Sequence, residues 1–85
     1  MNGEGPKYLM FRSIPNPNGK TEIWSVDSKS GGFPLGQIKW FGRWRQYCFF
    51  PASDTIFNTD CMRDISAKIK EVMARRKMGA RLKKI

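Results

Sequence analysis

The stretch Leu35-Gly36-Gln37-Ile38-Lys39-Trp40-Phe41-Gly42-Arg43-Trp44-Arg45-Gln46-Tyr47-Cys48-Phe49-Phe50-Pro51 decides how this chain folds. Two runs rich in aromatic and aliphatic residues flank Gly42-Arg43, and Pro51 stops the second run, which is the pattern of a β-hairpin. Glycine in the first loop position suits a two-residue type II′ turn, which needs a positive φ there. In that register Ile38 faces Tyr47 and Trp40 faces Arg45. Ile38, Trp40, Tyr47 and Phe49 then share one face, while Lys39, Phe41, Trp44, Gln46, Cys48 and Phe50 share the other. A three-residue loop from Phe41 to Arg43 would instead pair Trp40 with Trp44 and turn one strand over, because side chains alternate. The two-residue loop is the preferred reading.

Working outward, residues 7–14 read as a first strand, closed by the turn formers Pro15-Asn16-Pro17-Asn18-Gly19, and residues 21–27 as a second. Residues 29–34 break the pattern before the third strand, 35–41, and the fourth, 44–50. Downstream, Asn58 or Thr59 can cap a helix whose apolar residues fall at Met62, Ile65, Ile69, Val72 and Met73, the spacing of one helical face. Asp64 with Lys68 and Glu71 with Arg75 are i,i+4 pairs in the favourable orientation, and Gly79 is a natural stop. The expected fold is α+β: a four-stranded, mostly antiparallel β-meander followed by one C-terminal amphipathic helix packed on one sheet face. It forms a single domain over residues 1–79, with a flexible leader at 1–6 and a basic tail at 80–85. One helix covers one side of a sheet. The other side is solvated, covered by the N-terminal segment, or buried against a partner, a second copy of the chain included.

A chain of 85 residues has room for one core, and eleven aromatics argue that it folds, since their burial offsets much of the entropy of ordering. No run approaches a membrane span, and Met1-Asn2-Gly3-Glu4-Gly5-Pro6 lacks the plan of a secretion signal, so a cytoplasmic location is the expectation. Cys48 and Cys61 read as buried free thiols. With no histidine, a Cys/His zinc site is excluded, and neither metal nor cofactor is expected. The acids are scattered singly; Asp60 and Asp64 suit the first turns of a helix, where its dipole favours negative charge. Ser30-Gly31-Gly32 lacks the strand-to-helix setting and the lysine ending of a phosphate-cradling loop and reads as a turn. Little is left for catalysis, so the chain is expected to bind rather than to be an enzyme.

Sixteen bases against seven acids give a net charge of +9, and residues 63–85 hold nine of those bases and two of the acids. The run from Arg75 to Ile85 carries Arg75, Arg76, Lys77, Arg81, Lys83 and Lys84 with no acid, a composition that counterion release from a phosphate backbone rewards. The plain alternative is a solvated, solubilising tail. The hairpin interleaves bases and rings, and sheets that hold single strands stack bases on aromatics beside Lys and Arg; against this, a small domain needs most of its rings for its core. Arg43, at the hairpin tip, has little packing role. Nucleic acid, DNA or RNA, is thus the expected partner, with Arg75, Arg76, Lys77, Arg81, Lys83 and Lys84 setting affinity and Lys39, Arg43 and Arg45 any specificity.

The hairpin sequence, with Trp24 before it and Cys61 after it, resembles small uncharacterised proteins encoded by bacteriophages and prophages that share a Gly-x-Ile-x-Trp and Trp-Arg-x-Tyr-x-Phe-x-Pro hairpin. The resemblance runs from Trp24 to Ile65 and leaves out the basic ending. It implies a setting, a small phage product in a bacterial host cytoplasm, and no residue roles. In that setting the alternative function is an inhibitor that docks on a host nucleic-acid-processing protein, such as a defence nuclease, and a third is an accessory of the phage particle. Charge favours direct nucleic-acid binding, since host proteins of this kind are themselves basic where they hold nucleic acid.

Overall fold

The chain forms strands β1 (Leu9–Ile14), β2 (Ile23–Ser28), β3 (Pro34–Phe41) and β4 (Gln46–Pro51), then helix α1 (Thr59–Lys83). This computed structural model describes residues 7–17 and 19–83, with side chains as far as Met78. The expected leader 1–6, Asn18 and Lys84 lie outside the described residues, as do the side chains of Arg81 and Lys83. The sheet order is β1-β2-β3-β4 with every neighbouring pair antiparallel, an open meander whose edges are β1 and β4. The fold is the expected α+β arrangement.

The decisive hairpin differs from its expected form by a shift of two residues. Trp40 lies opposite Tyr47 and Ile38 opposite Phe49, leaving a four-residue loop at 42–45. The Trp44 and Arg45 amides donate to the Phe41 and Gly42 carbonyls at 3.2 and 3.1 Å, and Arg45, not Gly42, takes the left-handed conformation with φ 55°. Packing explains the preference: the longer loop sets Trp40 edge-to-face on Tyr47 with centroids 5.3 Å apart, where the tighter turn pairs Trp40 with an arginine. Because strands have a period of two, the shift leaves every residue that remains in β3 and β4 on its expected face, while Trp44 and Arg45, expected in the fourth strand, lie in the loop.

Residues between β2 and β3 form a turn, as expected, closed by Ser28 N–H to the Phe33 carbonyl at 2.8 Å, with Gly32 at φ 75°. β2 and β3 slip register between Val26 and Asp27, and Gly36 sits opposite Val26 and Pro51. A Cβ on Gly36 would lie 2.6 Å from the Phe50 carbonyl oxygen and 2.7 Å from the Phe49 ring, so this close approach admits only glycine.

Asn58 caps α1: its Oδ1 accepts from the Cys61 amide at 2.8 Å, which satisfies one of the helix's orphan donors. Gly79 does not end the helix, which continues to Lys83. Glycine costs about 1 kcal/mol in a helix interior, and the strong helix formers Ala80, Arg81, Leu82 and Lys83 that follow offset it. The expected boundary at residue 80 is therefore not a break in secondary structure. The core joins Leu9, Val26, Ile38 and Tyr47 from one sheet face to Cys61, Ile65 and Val72 from the helix. Met62, expected on the packed stripe, is 55% exposed, while Ile69 and Met73 are half-buried. The helix thus aims Ile65 and Val72 at the sheet and turns Met62 away from it. Cys61 is buried as expected, whereas Cys48 is only half-buried. Among the described residues no helix is long and apolar enough to cross a membrane.

Candidate nucleic-acid interface

Strand alternation divides the hairpin's rings between two faces. Trp40, Tyr47 and Phe49 pack under the helix, whereas Phe41 and Phe50 stand on the face that the helix leaves uncovered. There, Phe41 meets Phe50 edge-to-face with centroids 6.0 Å apart, and the loop ring Trp44 folds back onto Phe41 at 5.0 Å in the same geometry. Trp44 remains 64% exposed. The Lys39 ammonium lies 4.7 Å above the Phe50 ring. The quadrupole of an aromatic face attracts such a cation and keeps it beside the rings. Arg43 and Arg45 are exposed in the loop that carries Trp44. The left-handed conformation of Arg45 closes that loop, and both arginines flank Trp44 in the chain.

The rest of this face is polar at its centre. Asp27, 4% exposed, accepts from Ser25 Oγ at 2.5 Å and from Arg12 Nε at 3.0 Å. The hydrogen bond from Ser25 and the Arg12 guanidinium hold the Asp27 carboxyl below its ordinary 3.8, against the opposing effect of burial. The strand residues of this face include no other acid. Negative charge is therefore fixed and neutralised by Arg12, leaving Lys39, Arg43 and Arg45 without an ion-pair partner among the described residues.

The helix bases have different surroundings. Arg75 donates to both Glu22 oxygens, Nε at 3.0 Å and Nη2 at 2.7 Å, and to Glu71 at 2.7 Å. Those carboxylates raise the Arg75 pKa, and in return Arg75 holds Glu22 and Glu71 below their ordinary 4.5. Glu22 also accepts from Trp24 Nε1 at 2.8 Å, and its amide donates to the Tyr47 hydroxyl at 2.9 Å. Arg76 stacks 4.0 Å from the Trp40 ring centre, and Lys68 lies 3.7 Å over Trp24. Arg75, Arg76 and Lys68 thus clasp the helix to the sheet. Lys77 is exposed without an ion pair among the described residues.

Of the bases singled out from sequence, Lys39 stands on the uncovered face with Phe41 and Phe50, and Arg43 and Arg45 are exposed in the adjoining loop on either side of Trp44, which packs on Phe41. Arg75 and Arg76 serve the helix-to-sheet contact, Lys77 stands apart on the helix, and Arg81, Lys83 and Lys84 lie outside the described side chains. Sequence reasoning missed Phe50 as a partner of Lys39, although alternation from Phe41 through Cys48 already placed it on that face. It also missed the Arg12-Asp27-Ser25 cluster, whose signal was the alternating polar positions of β2. Among the described residues no group of three or more His, Cys, Asp or Glu is placed to hold a metal.

No protein-family model matches the chain, and no solved structure matches it. A curated relative, described as an uncharacterized 9.3 kDa protein of Acholeplasma phage L2, is 34% identical over 77 residues, covering 91% of this chain and 99% of the relative. The match takes in the residues of sheet and helix alike rather than one hairpin. The chain belongs to the same family of small phage proteins as that 9.3 kDa protein.

Proposed function

We propose that this protein binds nucleic acid on the uncovered sheet face and that single strands are its preferred ligand. The observation that carries this reading is the placement of Lys39 over Phe50, which packs on Phe41, which in turn carries Trp44 from the loop that bears the exposed Arg43 and Arg45. Duplex bases are already stacked and offer no faces to aromatic side chains, whereas the bases of a single strand do. Trp44 supplies the most accessible ring, and the three bases supply contacts to phosphate. Binding of this kind needs neither an acid-base pair nor a metal.

The test is fluorescence anisotropy with a labelled single strand and the matching duplex at two salt concentrations, for the natural chain and for Trp44→Ala. Stacking on aromatics contributes roughly 1–3 kcal/mol per base, so the variant should lose about tenfold or more in single-strand affinity while keeping its fold. An absence of binding at low salt would sink the proposal. Equal losses for duplex and single strand would leave nucleic-acid binding standing but remove the preference. A second reading, docking on a host protein, is favoured by a different surface, the groove beside β4.

A further inference from the structure

One helix over four strands leaves its flanks open, and on the β4 side the opening is a groove of about 730 Å³ walled by Phe49 and Phe57 from below and by Met62, Ile69 and Met73 from the helix. Met62, Ser66, Ile69 and Met73 follow one another at steps of four, three and four residues, the spacing of a coiled-coil seam. Within that frame Arg63, Lys70 and Lys77 recur every seventh residue on the solvent side of the seam, about 10.5 Å apart along the axis. These positions are where interhelical ion pairs choose a partner. Among the described residues no acid lines the groove.

The edge of β4 is closed to an added strand. The Ala52 amide donates to Leu35 of the neighbouring strand at 2.9 Å, so by alternation the odd-numbered amides point outward. Of these, the Tyr47 amide donates to Met73 Sδ at 3.4 Å, and Pro51 has no amide hydrogen. Only Phe49 is left with an outward amide, too little for a ladder. A second copy of the chain is also a poor occupant: each copy carries a net charge of +9, and a two-fold contact would bring Lys70 and Lys77 against the same residues of the other copy.

We propose that the groove between α1 and β4 docks an amphipathic helix of another protein, its apolar seam on Met62, Ile69 and Met73 and its carboxylates facing Lys70 and Lys77. The site is separate from the nucleic-acid face, and the proposal does not rest on that reading. The probe is a synthetic three-heptad helix with leucine in its seam and glutamate at the flanking positions, compared with its counterpart bearing lysine at those positions. The natural chain should bind the acidic helix about tenfold more tightly than the basic one, and Lys70→Glu combined with Lys77→Glu should reverse the order. Ser66→Trp, which fills the groove from an exposed position, should abolish binding with the circular dichroism spectrum unchanged. Lys39→Glu with Arg43→Glu, on the opposite face, should leave the preference for the acidic helix in place.

No binding of the acidic helix, equal binding of both probes, or a preference that survives the double charge reversal would overturn the proposal. So would displacement of the acidic helix by an oligonucleotide from a chain carrying Lys39→Glu and Arg43→Glu, which would make the groove a nucleic-acid site. A concentration-dependent dimer in sedimentation that Ser66→Trp removes would show that the occupant is a second copy, and would overturn it equally.

Discussion

Arg75 grips Glu22 across 53 residues of sequence, with two hydrogen bonds of 3.0 and 2.7 Å to the two carboxylate oxygens. The pair joins the middle of α1 to the start of β2, where Glu22 also takes the Trp24 indole hydrogen. Arg75 therefore serves cohesion, and its charge is balanced by Glu22 and Glu71. Both side chains are more than a third exposed, so solvent screens the attraction and the gain is modest despite the bidentate geometry. Arg75→Ala should cost about 1 kcal/mol in urea unfolding and leave oligonucleotide affinity unchanged. A large loss of affinity with full stability would return Arg75 to the binding surface.

Three carboxylates make the fold sensitive to acid. Hydrogen bonds from Arg75 hold Glu22 and Glu71 below 4.5, and the hydrogen bond from Ser25 does most to hold Asp27 below 3.8. Each has a folded pKa beneath its unfolded value, so each contributes stability that is present above the unfolded pKa and is lost as pH falls through the folded one. Thermal midpoints should be flat from neutral pH to about pH 5 and fall below it. Asp27→Asn should remove part of that acid-induced fall; an unchanged slope in this variant would mean that Asp27 titrates normally.

The strand count, the order of elements, a helix cap at Asn58 or Thr59 and the division of the hairpin between two faces were all legible in the sequence, because alternation and capping are local signals. The register of β3 on β4 was not. Gly42 invited a tight turn, yet the contact of Trp40 with Tyr47 decided for the longer loop, and Arg45 carries no sequence sign of the left-handed conformation it adopts. The roles of Arg75 and Arg76 were likewise hidden. A basic run shows its charge but not its partners, and Glu22 and Trp40 become neighbours of the helix only when the sheet folds beneath it. The candidate site was half visible: alternation already put Lys39, Phe41 and Phe50 on one face, while the stacking of Lys39 on Phe50 and of Trp44 on Phe41 needed the folded hairpin.

Gly36 offers a sharp test of the sheet's geometry. A methyl group there would overlap the Phe50 backbone oxygen, which cannot move without breaking the β3–β4 ladder, and the Phe49 ring behind it. Gly36→Ala should therefore destabilise the domain by about 1–3 kcal/mol, the range in which forced overpacking falls. Chemical denaturation reads the effect directly. A neutral outcome would show that β4 stands further from Gly36.

The orientation of α1 can be tested with two residues of its apolar stripe. Val72 has no exposed surface, whereas Met62 is 55% exposed. Truncating a buried aliphatic side chain loses transfer energy and leaves a cavity, so Val72→Ala should cost about 2 kcal/mol. Met62→Ala should stay within about 0.5 kcal/mol. Equal effects on the urea midpoint would mean that the helix is rotated on the sheet from the position described.

Salt dependence separates the hairpin bases from the helix bases as contacts to phosphate. Each phosphate neutralised on a single strand contributes about 0.7 to the slope of log affinity against log salt, through the counterions it releases. Arg43 and Arg45 are exposed beside Trp44 and free of ion pairs among the described residues. If both meet phosphates, Arg43→Ala with Arg45→Ala should flatten the slope by about 1.4. Arg76→Ala removes a guanidinium that lies on Trp40, under the helix, and should leave the slope as it is while lowering the thermal midpoint slightly. Anisotropy titrations across a salt series give all three slopes. Should the Arg76 variant flatten the slope and the double hairpin variant not, the phosphate path runs along the helix instead of the sheet.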